Sequence, residues 1–207
     1  MAPINSQQIL EHVADVRTGY TFRGKVELVS PKEGTAHIAQ ITDVRKIWEE
    51  TNSDMLRADQ LPMIQWDGKD KAFIEPGLVL LPARGVYFRT SCYLSAGESH
   101  LPVVVSSQFL IIEPKRGLRP EFLCWYLNQP SMQRILADAS QGTSIPLLKA
   151  ATVKQLKLEV PSLDKQEQIL HINRMWEQEQ QLTQALLKNR ETMLQGVFQQ
   201  LLKENGS

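Results

Sequence analysis

The sequence predicts an α+β protein that ends in one long helix, and three observations carry this expectation. Short apolar runs, among them residues 78–81 and 103–105, recur between residues 73 and 112 with turn residues between them. Pro120 and Pro130 then each open a segment with helical spacing of apolar residues. Beyond Pro161 the chain is rich in Gln, Glu, Leu and Lys, contains no further proline, and has Gly196 as its only glycine before Gly206. The 207 residues suit a domain of about 150 residues plus an appendage. The expected division is 1–161 and 162–207.

The elements are expected in the following order. Residues 5–16 read as a short helix or turn plus a strand, because Ile9, Leu10, Val13 and Val16 sit at helical spacing. Gly19, Gly24 and a turn at 31–34 break up the next stretch, which holds a strand-like run at 26–29. Ala36, Ile38, Ile41 and Val44 suggest a strand followed by a turn, and the polar residues 45–70 a loop or short helix. Strands are expected at 73–74, 78–81, 85–93 and 103–112.

A turn at 114–120 leads to a helix whose apolar face is Phe122, Leu123, Tyr126 and Leu127. Pro120 stands at its first position, where a missing N–H costs nothing. Met132, Ile135 and Leu136 continue a second helical piece to about Ala139. Residues 141–146 form a polar loop, and Leu156, Leu158 and Val160 alternate as a strand that Pro161 ends.

Ser162 then serves as an N-cap, with Asp164 and Glu167 in the first turn, where the helix dipole favours acids. The helix that follows is roughly 60 Å long at about 1.5 Å per residue. Ile169, Ile172, Met175 with Trp176, Leu182, Leu186, Met193, Val197 and Leu201 form a stripe at 3–4 spacing, interrupted by Glu179 and Asn189. A small domain cannot cover so long a stripe, so a partner helix is expected.

Composition narrows the function classes. Lys plus Arg and Asp plus Glu number 23 each, and the pI is near 6.9. Dividing the chain after Pro161 leaves 18 basic and 17 acidic residues before it, and 5 and 6 after it. Neither part is a polycation, which argues against sequence-blind coating of DNA, although basic residues gathered on one face could still read it. The apolar runs are far too short to span a bilayer, and the N-terminus has no secretory apolar core. Cys92 and Cys124 are too few for a disulfide scaffold or a structural zinc site. The expectation is a cytoplasmic protein with free thiols and no membrane association.

Several motifs invite chemistry. Gly19 to Lys25 matches GxxxxGK, but Val26 stands where a phosphate loop needs a Ser or Thr hydroxyl for magnesium, and no helix start is expected after it. Two readings of this segment remain: a solvated turn, or a glycine-flexed loop whose Arg17, Tyr20, Arg23 and Lys25 touch nucleic acid. Arg84, Tyr87, Arg89 and Thr90 form a second candidate set, since arginine binds guanine edges bidentately and Tyr or Thr can contact phosphates. The competing reading is a strand with alternating Tyr87 and Phe88. Lys115 and Arg116 fit a solvated turn. His12, His37, His100 and His171 lack ligand spacing, so neither a metal nor a cofactor is expected. Nothing in the chain points to catalysis.

From Gln141 onward the signals become more specific. The order Gly142-Thr143-Ser144, then 153–161, then Gln166-Glu167-Gln168-Ile169 resembles the end of a target recognition domain in the specificity subunits of type I restriction–modification systems. Residues 9–24 resemble that family's first strand and glycine loop, 36–44 its following segment, and 103–136 its strand, proline turn and aromatic helix. The likeness extends from about Leu10 to Leu202. Gly77-Leu78-Val79-Leu80 departs from the family's Gly-Asp-Ile-Leu by lacking the acid.

The resemblance implies a mixed-sheet target recognition domain that reads a half-site in double-stranded DNA, followed by a spacer and dimerisation helix. It adds Gln141, Thr143 and Ser144 to the DNA-facing set. It implies a non-catalytic half-subunit whose partners are a methyltransferase (modification) subunit and, through the complex, a restriction subunit. A homodimer is expected through Ile172, Trp176, Leu182, Leu186, Met193 and Val197. The competing expectation is a helical assembly protein with a degenerate recognition domain and no DNA reading, which the neutral charge favours.

Overall fold

The structure is a computed structural model that describes residues 7–140 and 146–204. The chain divides into two units, Met1–Gln166 and Glu167–Ser207. In the first, β1 (Gln7–Ile9), α1 (Leu10–Val13) and β2 (Ala14–Thr18) are followed by β3 (Ala36–Ala39) and α2 (Ile41–Thr51). Next come β4 (Met55–Arg57), β5 (Met63–Ile64), β6 (Phe73–Ile74), β7 (Leu78–Pro82), β8 (Ser91–Ser95), β9 (Val103–Val105) and β10 (Phe109–Pro114). Then α3 (Pro120–Leu127), α4 (Pro130–Ala139), α5 (Ala150–Lys154) and β11 (Lys157–Glu159) lead to α6 (Leu163–Glu204).

The strands form a five-stranded sheet, β2-β10-β7-β8-β4, a four-stranded sheet, β5-β3-β9-β6, and the pair β1-β11. Both larger sheets are mixed, because β4 runs parallel to β8 and β3 parallel to β9 while their other pairings are antiparallel. The α+β class follows.

The main core is built from residues of α2 and both sheets: Val44 and Ile47 of α2 join Ala39, Val105, Leu78, Leu80, Phe109 and Ile111. Pleating sends Val79, Leu81, Leu110 and Ile112 to the opposite face of the five-stranded sheet, where they are also buried. There α3 packs with Phe122, Leu123, Cys124 and Leu127 buried. Both faces being covered explains why β7 reads as a continuous apolar run. Gly77 enters that strand at φ 97°, a conformation that favours glycine.

Five local expectations need correction. Residues 26–29 form no strand; only Val29 makes a bridge, to Met63. Residues 41–51 are a helix, not the turn expected near Ile41. Strand β8 begins at Ser91, and residues 85–90 are irregular because Asn128, rather than a neighbouring strand, holds the Thr90 backbone: its Oδ1 accepts from Thr90 N–H at 2.8 Å and its Nδ2 donates to Thr90 C=O at 2.9 Å. The run 103–112 is two strands separated by a turn at 106–108, and α5 precedes β11 where only a strand was expected.

In the second unit α6 continues as one uninterrupted helix. Ile172, Trp176, Leu182, Leu186, Met193 and Val197 are all exposed. Among the described residues no helix is long and apolar enough to cross a membrane.

Candidate nucleic-acid interface

Three clefts of the first unit bring together basic and aromatic side chains from segments far apart in sequence. The first begins where β2 ends. Gly19 N–H donates to Phe109 C=O (3.1 Å) and Tyr20 N–H to Val105 C=O (2.7 Å), while Ser107 N–H donates back to Tyr20 C=O (2.7 Å). A Cβ at Gly19 would collide with the carbonyls of Val105 and Ser106, so only glycine lets this loop lie against the 106–108 turn.

The loop carries Tyr20 into an aromatic cluster. Its ring meets Phe22 and Trp66 edge-on, with centroids 5.0 and 4.9 Å apart, and Trp66 meets Phe73 at 5.9 Å. Tyr20 remains exposed at the rim. Arg17 and Tyr20 line a cleft of about 670 Å³ whose other wall holds Lys69 and Lys71.

The second cleft, about 870 Å³, lies between Lys25 and the start of α2, with Ser107 and Gln108 at its edge. Gln108 ties the 106–108 turn to the start of α2, its Oε1 accepting from Ile41 N–H at 3.0 Å. Arg17, Arg23 and Lys25 are exposed and have no ion-pair partner among the described residues. These cations are therefore available to phosphates.

The third cleft, about 510 Å³, lies along α2, with Ile41, Val44, Trp48 and Phe109 as apolar lining and Arg45, Tyr87 and Arg89 as polar groups. Ile41 borders this cleft while Gln40 and Thr42 border the second, so the two flank the first turn of α2. Lys25 and Arg89, 64 positions apart in sequence, thus serve neighbouring concavities.

Arg89 is held on two sides. Its Nε donates to Asp54 Oδ1 at 2.6 Å, and its guanidinium carbon lies 3.8 Å from the centre of the Trp48 ring. Asp54 Oδ2 in turn accepts from Asn128 Nδ2 at 3.0 Å.

The remaining sequence candidates have different fates. Tyr87 is 71 % exposed at the third cleft. Arg84 is exposed, but its backbone bridges Leu147, and Gly85 N–H donates to Pro146 C=O, so it belongs beside residues 146–148 rather than in the clefts. Thr90 is a correction: it is fully buried, its hydroxyl donating to Phe88 C=O at 3.3 Å, and it cannot face DNA. Gln141, Thr143 and Ser144 lie outside the described residues. Lys69, Lys71, Arg45, Trp48 and Asp54 were not anticipated, because all fall in the polar stretch 45–70 or just after it. Trp48 and Trp66, two large aromatics in an otherwise polar stretch, were the available signal.

The GxxxxGK segment runs into irregular chain, and the next helix begins only at Ile41, so the segment does not lead directly into a helix as a phosphate loop does. Among the described residues no three His, Cys, Asp or Glu side chains gather as a metal site.

Comparison with known proteins gives a consistent picture. The family model described as "Type I restriction modification DNA specificity domain" matches residues 65–188. The type I restriction enzyme MjaIX specificity subunit of Methanocaldococcus jannaschii is 32% identical over 104 residues, which is 48% of this chain and 23% of that protein. Among solved structures, the HsdS subunit from Thermoanaerobacter tengcongensis superposes with a TM-score of 0.61 at 16% identity, over 89% of this chain and 40% of that one. The type I restriction–modification S subunit from M. genitalium gives 0.55 at 14% identity, over 86% and 40%. The chain thus spans about a quarter of the curated relative and two fifths of the solved ones.

Proposed function

This chain belongs to the type I restriction–modification DNA specificity domain family, and on that premise we propose that it is a sequence-specific DNA-recognition module without catalytic chemistry of its own. The observation that carries the reading is the row of clefts in which Arg17, Lys25, Lys69, Lys71 and Arg89 stand beside Tyr20 and Tyr87. Unpaired cations at loop tips suit phosphates and fix register on the duplex, while groups inside the clefts suit base edges. The overall neutrality of the chain fits a binder whose discrimination comes from local placement rather than bulk charge.

In this reading residues 1–161 do the reading and 162–207 form the spacer arm. The exposed stripe on α6 supports pairing with a helix of a second copy, which would give a twofold dimer reading an inverted repeat. Methyltransferase subunits, and through them a restriction subunit, are the proposed partners of the assembled complex, and the cytoplasm is its proposed location. The alternative, a helical assembly protein without DNA reading, draws on the same exposed stripe.

Fluorescence anisotropy with random-sequence duplexes at low and moderate salt separates the two readings. DNA recognition requires binding at low salt that weakens steeply as salt rises. Absence of binding at low salt leaves the assembly reading.

A further inference from the structure

The clamp around Arg89 has a consequence for what the third cleft reads. A surface arginine that contacts phosphate is ordinarily mobile and carries a full uncompensated charge. Arg89 has neither property. Asp54 both fixes its Nε and balances its charge, Trp48 supports its plane, and Asn128 fixes Asp54 together with the backbone at Thr90.

What remains is geometry. Arg89 lines the cleft with its side chain 40% exposed, and its two terminal amino groups have no hydrogen-bond or ion-pair partner among the described residues. They are a parallel pair of donors held at a fixed angle. Such a fork matches the adjacent O6 and N7 acceptors on the major-groove edge of guanine.

The neighbouring groups agree with a base edge and not with a phosphate. Glu49 lines the same cleft, where it would repel a phosphate but could accept from the N4 amino group of the paired cytosine. Trp48 lines the same cleft through its ring, on which the Arg89 guanidinium rests. Ile41, Val44 and Phe109 make much of the remaining lining apolar, which suits the planar body of a base pair.

We propose that Arg89 reads one guanine of the target through its terminal amino groups, with Asp54 and Trp48 as positioning residues that hold it in reading geometry. This rests on the DNA-recognition reading above and adds to it a base and an atom pair.

The test uses the full chain and a duplex selected by it from a randomised pool. Each guanine in that duplex is replaced in turn by 7-deazaguanine, which lacks the N7 acceptor but keeps base pairing. The wild-type chain should lose about tenfold in affinity at one guanine of each half-site. Arg89→Ala should bind the unmodified duplex more weakly and be indifferent to 7-deazaguanine at that position. Asp54→Asn should reduce discrimination at the same position while leaving the salt dependence of binding unchanged, which a general loss of structure would not do. Urea midpoints of the variants establish that they fold. The proposal is overturned if no guanine is sensitive in the wild type, or if Arg89→Ala keeps the full wild-type sensitivity. If no duplex binds at any salt, the DNA-recognition reading itself fails, and this proposal with it.

Discussion

Replacing Gln166 with alanine should cost the first unit about 3 kcal/mol of stability. Gln166 is fully buried in the first turns of α6. Its Oε1 accepts from Arg119 N–H at 2.9 Å, and its Nε2 donates to Gly117 C=O and to Pro161 C=O, each at 2.8 Å. One side chain thus joins the turn before α3 to the chain entering α6. Each such bond contributes a net of about 1 kcal/mol, giving roughly 3 kcal/mol for three, and more if the Arg119 amide is left unsatisfied.

With an m-value of about 2 kcal/mol/M, the urea midpoint should fall by about 1.5 M. Tryptophan fluorescence is a suitable probe, because Trp48, Trp66 and Trp125 all lie in the first unit. Gln166→Glu adds a check on the sign. The carboxylate keeps an acceptor for Arg119 but faces two carbonyls it cannot donate to, so burial must raise its folded pKa. A group whose folded pKa is raised is relatively favoured in its protonated form. Gln166→Glu should therefore be least stable at neutral pH and recover in part on acidification through the carboxylate range. An alanine variant within about 0.5 kcal/mol of wild type, the range of ordinary surface changes, would refute the reasoning.

Other perturbations have equally definite outcomes. Gly19→Ala should destabilise by about 1–3 kcal/mol in a urea melt, since its Cβ would meet backbone carbonyls that cannot easily move. Cys92 and Cys124 are buried, and burial, with the charge of Glu121 as a lesser cause, pushes the Cys92 thiol well above its ordinary range. Both should thus resist a thiol reagent in the native chain even at mildly alkaline pH, and fast native labelling would contradict this. Arg23→Ala and Lys25→Ala should weaken binding to all duplexes alike, each lowering the slope of log affinity against log salt by about one. Replacing Leu186 and Met193 together with Asp should convert the proposed dimer to a monomer in sedimentation, whereas a wild-type chain that is already monomeric at micromolar concentration rules the dimer out.

The parts of the fold legible in the sequence were those with a strong local period or a hard stop. Pro120 and Pro130 mark the first residues of α3 and α4, and the proline-free stretch after Pro161 is α6. The β7 run was legible because both faces of its sheet are covered. The helix α2 was missed at its start because β3 passes into it at Gln40, whose side chain makes no capping bond to the helix. Nothing at that point resembles a helix start, even though Val44 and Ile47 sit at helical spacing. Residues 85–90 imitate a strand, with buried Phe88 and Thr90 alternating around Arg89, yet tertiary bonds from Asn128 replace the ladder.

The candidate interface divides in the same way. Arg17 at the end of β2 and Tyr20, Arg23 and Lys25 in the chain that follows it are close in sequence and could be seen together. Lys69 and Lys71 join Arg17, and Asp54 joins Arg89, only through the fold, and no local signal links those pairs.

The most direct measurement is selection by the full chain from a pool of randomised duplexes at moderate salt, followed by sequencing of the retained DNA. DNA reading by a paired recognition module predicts enrichment of a defined short sequence, arranged as an inverted repeat with fixed spacing. A retained pool as random as the input would contradict sequence-specific recognition by this chain.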